Sequence, residues 1–184
     1  MVASLALGTV QLGLPYGAAN KTGMPSEEEA IAMLLHAASN GVRSLDTAHS
    51  YKLSQQRVGA GLRAMRERRL DAPCVVTKLV GGSDMDAAKS AEELVALVDA
   101  SIAQSTEQLG MEPLDVVCFH YWGQAKLHGG AALARLKHHV AKGTARRFGT
   151  STSADTADEV KEALLDPSLY LPCTFPVPSL YLLI

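Results

Sequence analysis

The sequence has no excess of basic residues: 17 Lys and Arg stand against 19 Asp and Glu, a formal net charge of −2 over 184 residues. The charges are scattered through helical segments rather than gathered in a block, so nothing here would hold a phosphate backbone, and nucleic acid is not an expected partner. The chain also lacks a long apolar run. Its opening, MVASLALGTVQLGLPYG, has no basic stretch, and Gly8, Gln11, Gly13 and Pro15 interrupt any signal or spanning helix. No membrane partner and a cytoplasmic location are expected. Cysteine is scarce and odd in number. Cys74, Cys118 and Cys173 lie far apart, each in or beside an apolar run, which fits buried reduced thiols better than a disulfide frame or a zinc site. His128, His138 and His139 lack the i, i+4 spacing of a helical metal pair, so no metal is expected. With no linker or low-complexity stretch to divide it, the chain reads as a single domain over residues 1–184.

What the sequence does contain is an alternation. Short apolar runs (VRSLDT, PCVVTKLV, LDVVCFHYW, ARRFGTS) are separated by longer stretches of helical period, the signature of repeated βα units around a parallel sheet. The first helix is expected to open at Ser26, with Glu29 completing a capping box, to bury Ile31, Leu34, Leu35 and Ala38, and to stop at Asn40-Gly41. Ser54 is expected to cap a second helix bearing Val58, Leu62 and Met65. A third repeats the Ser/Glu device at Ser90 and Glu93, carries Leu94, Leu97, Val98 and Ile102, and ends near Gly110. A fourth is expected over about residues 130–143. A fifth carries Val160, Leu164 and Leu165 and stops before Pro167. Strands begin with residues 5–8, four more follow, and a sixth is expected near residues 171–175. Five or six βα units fit either a doubly wound sheet or part of a (β/α)8 barrel. Gly81-Gly82-Ser83 matches neither dinucleotide nor P-loop patterns and reads as a flexible βα loop.

Polar residues fall at the ends of successive strands: Asp46 after VRSL, Lys78 after CVVT, His120 after VVCF and Ser151 after RRFGT. In βα folds that end of the sheet is where sites are built. Period-two alternation puts Val42 and Ser44 on a side with Asp46, Cys74 and Val76 with Lys78, and Val116 and Cys118 with His120. A phenol is a poor acid at neutral pH, but an adjacent ammonium favours the phenolate, so Tyr51 beside Lys78 can deliver a proton. Asp46 would hold the lysine charged and in place. A neutral His120 would donate a hydrogen bond to a carbonyl oxygen. Together these describe protonation of an oxyanion formed when a carbonyl carbon accepts a hydride or another nucleophile. A Schiff-base role for Lys78, as in a barrel aldolase, is the alternative chemistry, which the neighbouring Asp46 and Tyr51 disfavour. Trp122 divides between lining a substrate pocket and packing under a loop.

These residues resemble the aldo-keto reductases. LDTAHSY is similar to that family's Asp-x-x-x-x-Tyr element, VVTKL to its lysine strand, VCFHYW to its histidine strand and ARRFGTST to its Gly-x-Ser strand, while LGTVQLGLPYG is similar to the first strand of bacterial-type members. The resemblance implies a partial (β/α)8 barrel of the first five to six units and hydride transfer from NADPH or NADH to an aldehyde or ketone. It also implies a catalytic set of Asp46, Tyr51, Lys78 and His120, with Tyr51 as general acid and cofactor contacts at Gly8, Thr9, Ser151 and Thr152. The sequence departs from the family at Lys52, where members commonly have glycine, at Gln55, where they have glutamate, and at Thr152, where many have asparagine. Its end, LPCTFPVPSLYLLI, has no cofactor-binding glutamine and carries Pro176 and Pro178, so the domain is expected to be incomplete at the C-terminus. An inactive remnant that binds a partner chain is the alternative function, and self-association through exposed barrel edges is expected.

Overall fold

The computed structural model of the chain describes residues 5–151 and 157–165. Strands and helices alternate as β1 (Ala6–Gly8), α1 (Val10–Gly13), α2 (Glu27–Ser39), β2 (Ser44–Asp46), α3 (Ser54–Glu67), β3 (Cys74–Lys78), α4 (Gly82–Asp86), α5 (Ala91–Leu109), β4 (Leu114–Phe119), α6 (Trp122–Lys142), β5 (Ala145–Thr150) and α7 (Ala157–Leu165). The five strands form one parallel sheet in the order β1-β2-β3-β4-β5. That order separates the two folds left open by the sequence. A doubly wound sheet reverses direction at a switch point, whereas a barrel adds each strand beside the last. The chain therefore forms the first five βα units of a (β/α)8 barrel.

The two faces of the sheet bury different groups. Leu45, Val75, Val117 and Phe119 pack with Leu34, Leu62, Leu94, Val98 and Leu136 in the large core between strands and helices. On the opposite, barrel-interior face lies a small cluster of Val76, Val116 and Cys118, with Cys74 against it. The register explains this division, because Ser44 pairs with Cys74, Asp46 with Val76 and Lys78 with Cys118, so each of these sits beside its partner on one face. Val42 does not join them. The strand starts only at Ser44, and Val42 packs instead with the core between sheet and helices.

Local signals account for most helix boundaries. Ser26 accepts a bond from the Glu29 amide while the Glu29 carboxylate accepts one from the Ser26 amide, which closes the expected capping box. At α5, Ser90 caps the Glu93 amide, but Glu93 reaches one residue further back, to the Lys89 amide. Gly110 ends α5 at φ 62°, the left-handed conformation that glycine adopts without a Cβ penalty. Ser54 does not cap α3. It is the first helical residue, and its hydroxyl donates to the Thr9 carbonyl, because a fully buried hydroxyl there must find a partner across the fold.

Other expectations are corrected by the structure. The fourth helix runs as expected from just after Gly130 to its left-handed cap at Gly143, but a short helical stretch from Trp122 precedes it, set off by non-helical backbone at Leu127, His128, Gly129 and Gly130. Gly81-Gly82-Ser83 is not a loop throughout: Gly81 leads into the short α4. In α7 Leu165 is 81% exposed and Ala163 is buried. Residues two apart on a helix point to nearly opposite sides, so a face centred on Ala163 turns Leu165 to solvent. The expected sixth strand lies outside the described residues.

Candidate active site

The sheet register sets Gly8, Asp46 and Val76 in one row across β1, β2 and β3, and Lys78 two residues beyond Val76 at the carboxyl end of β3. There the Lys78 Nζ donates to the Asp46 Oδ2 at 2.6 Å and to the Thr47 carbonyl at 3.1 Å. The pair is almost wholly buried, Lys78 at 3% and Asp46 at 5% exposure. Charges removed from water this way hold together because each is the other's solvation, and the carbonyl of Thr47 accepts a second hydrogen bond from the ammonium. The half-buried Tyr51 brings its ring centroid to 5.2 Å from the same Nζ.

Tyr51 is placed by a tight loop rather than by a helix or strand. Its amide donates to the Ala48 carbonyl, and its carbonyl accepts from the Ser54 amide. Beneath the loop a chain of hydroxyls ties three elements together: Thr9 donates to the Asp46 carbonyl at 2.7 Å, Thr9 and Ser54 hydroxyls lie 2.8 Å apart, and Ser54 also meets Thr47 at 3.0 Å. Gly13 packs so closely under it that a Cβ there would stand 1.8 Å from the Tyr51 carbonyl oxygen. Lys52 takes φ 48°, which is the positive φ that makes glycine usual at this point. A lysine in that conformation carries a strain of roughly 1 kcal/mol that the surrounding loop must offset.

His120 follows β4. Its amide donates to the Gln124 Oε1 at 2.9 Å, and its Nε2 lies 3.4 Å from the Ser50 hydroxyl, next in sequence to Tyr51. Burial, then the nearby Lys78 charge, lowers its pKa below the ordinary 6.5, so the imidazole is neutral at pH 7. Cys118, on the floor of the same face, is pushed up to about 12 by burial and stays a thiol. Gln55, where a glutamate was the alternative, is fully buried and donates to the Thr77 and Ser105 hydroxyls at 2.7 and 2.8 Å, so it ties α3 to β3 and α5 without burying a charge.

Among the expected cofactor contacts, Gly8 is exposed, and a Cβ there would meet nothing within 4 Å. Ser151 is half-buried at the end of β5, its amide bonded to the Phe119 carbonyl at 2.9 Å. Thr9 is different: it is fully buried with its hydroxyl bonded inward, so its side chain clamps β1 to β2 and α3. Thr152 lies outside the described residues. Trp122 is buried in the core between sheet and helices, which decides for packing. The backbone carbonyl of Thr47 and the side chain of Gln124 were not singled out from the sequence. A carbonyl has no residue signature, and Gln124 accepts from His120, one residue before the Tyr121 N-cap, which is not capping-box spacing. Among the described residues no group of His, Cys, Asp or Glu is placed to hold a metal, and no helix is long and apolar enough to cross a membrane.

A parallel α/β barrel segment thus carries a buried lysine–carboxylate pair and a loop tyrosine at its strand ends. Residues 4–173 match the aldo/keto reductase family, and the chain belongs to it. An aldo-keto reductase structure from Pseudomonas aeruginosa is 25% identical with a TM-score of 0.67, the match covering 88% of this chain and 59% of that one. The Bombyx mori aldo-keto reductase in complex with NADP is 20% identical at a TM-score of 0.65, covering 88% and 50%. The Klebsiella pneumoniae enzyme in complex with NADPH is 20% identical at 0.63, covering 88% and 53%. The chain thus spans less than two thirds of the length of these relatives. Among curated proteins, none matches.

Proposed function

We propose that the chain carries the catalytic half of an NAD(P)H-dependent carbonyl reductase acting on an aldehyde or ketone in the cytoplasm. The observation that carries this reading is the buried Lys78 ammonium, held by Asp46 at 2.6 Å and set 5.2 Å from the Tyr51 ring centroid. The Tyr51 hydroxyl donates its proton to the carbonyl oxygen of the substrate as negative charge develops there. The ammonium of Lys78 stabilises the phenolate left behind, and Asp46 holds that ammonium in place. The neutral imidazole of His120 donates a second hydrogen bond to the same oxygen and orients it. A Schiff base at Lys78 is disfavoured, because its Nζ is buried and already engaged by the Asp46 carboxylate and the Thr47 carbonyl.

The open space beside Gly8 and the half-exposed Ser151 fit the nicotinamide end of a dinucleotide, with Thr152 beside it in sequence. When bound, NAD(P)H would supply the hydride to the carbonyl carbon. No metal takes part in this scheme. The test is NADPH fluorescence titration, followed by turnover of a reactive aldehyde in the wild type and in Tyr51→Phe. The expected result is a loss of at least about a hundredfold in kcat with little change in cofactor affinity. Near-normal turnover in Tyr51→Phe would remove the phenol from the mechanism.

A second reading has its own observation. Among the described residues β1 and β5 each pair on one side only, and such edges invite another chain. In that reading the protein is inactive and works by self-association or by binding a relative. Light scattering showing an oligomer, with no NADPH binding, would favour it.

A further inference from the structure

At the opposite end of the sheet from Lys78, the amino ends of the strands surround a cleft of about 530 Å³. Four arginines are among its lining residues: Arg43 just before β2, Arg66 in the last turn of α3, and Arg146 and Arg147 in β5. Asp115 is the carboxylate lining the cleft, and it is already engaged, accepting from the Val75 amide at 3.0 Å and lying 3.4 Å from the Arg146 Nε. Arg43 and Arg66 are exposed and form no ion pair among the described residues. Between the arginines the wall is apolar, built from Leu62, Pro73 and Met111.

We propose that this cleft binds an organic anion with a phosphate or carboxylate head and an apolar body, separately from the carbonyl site. The volume lies within the range of small-molecule sites. Guanidinium forks match the oxygen geometry of phosphate and carboxylate, and the excess of positive charge in a concave, partly apolar site strengthens that attraction. Leu62 and Met111 give the body of the ligand a surface to leave water against. In barrel enzymes the amino end of the strands supports stability rather than chemistry, so the anion here is held and not turned over. The proposal stands independently of the reductase reading.

The probe is 2-naphthyl phosphate, titrated calorimetrically against the intact chain, with 2-naphthoate, 2-naphthol and inorganic phosphate in parallel. Saturable binding of naphthyl phosphate that weakens with added salt is expected, with 2-naphthol roughly tenfold weaker or worse. Comparable binding of 2-naphthoate assigns the site to carboxylates as well, and weak binding of inorganic phosphate shows that the apolar body contributes. Arg43→Gln with Arg66→Gln, two exposed positions whose folding is checked by circular dichroism, should weaken naphthyl phosphate by about tenfold or more. Asp115→Asn, which keeps an acceptor for the Val75 amide, should strengthen it. Equal binding of 2-naphthol, unchanged affinity in the arginine variants, or no saturation at millimolar ligand would each overturn the proposal.

Discussion

The two ends of the sheet treat charge in opposite ways. At the carboxyl end a lysine and an aspartate are buried together and bonded at 2.6 Å, with a tyrosine above them. At the amino end Arg43, Arg66 and Arg146 stay exposed around a cleft with one engaged carboxylate. A buried pair has a fixed geometry and a large penalty for losing either member, which suits positioning of a reacting group. Exposed guanidiniums are screened and adaptable, which suits capture of an anion.

The comparison breaks most visibly at Lys78. Replacement by Met leaves Asp46 buried without its cation and should cost about 3–5 kcal/mol in denaturant unfolding. Adding Asp46→Asn should recover part of that loss, since the two residues act as one unit. Full additivity of the two losses would show that the ion pair does not couple them.

Next in size is Gly13→Ala, where the new methyl group collides with the Tyr51 carbonyl. About 1–3 kcal/mol of destabilisation is expected, with the loop holding Tyr51 displaced; amide chemical shifts around residues 47–54 are the readout. An unperturbed spectrum there would mean that the close approach is not required.

His120 sharpens the contrast through pH. Its folded-state pKa lies below 6.5, so between that value and 6.5 the folded protein binds fewer protons than the unfolded one. Stability from this group is therefore fully present above pH 6.5 and is lost as pH falls through the folded pKa. An NMR titration should place the His120 midpoint below 6.5, and a midpoint at or above it would contradict the buried, cation-facing environment. The smallest effect belongs to the other end: Arg43→Gln and Arg66→Gln should each change stability by less than about 0.5 kcal/mol. A larger loss would make these arginines structural.

Much of the site was legible because its members end strands that announce themselves. Asp46, Lys78 and His120 each follow an apolar run, and alternation puts Cys74 and Val76 on the face of Lys78. The limits of that rule were also physical. Val42 fails it because pairing begins two residues later, and Thr9 reads as a contact residue although the fold turns its hydroxyl inward. Ser54 looks like a cap by type, yet burial redirects its donor across the fold to Thr9.

The sequence by itself determined the βα alternation, the Ser26–Glu29 capping box, the left-handed stop at Gly110 and the family motifs, because these depend on residues within a few positions of one another. Only the tertiary structure decided the rest. The strand order chose barrel over doubly wound sheet, the register placed Lys78 against an aspartate 32 residues earlier, and the same register gathered Arg43, Arg66 and Arg147 at the other end. Such meetings depend on which strands pair and in what offset, and that is set by the burial of whole faces rather than by any short stretch of chain.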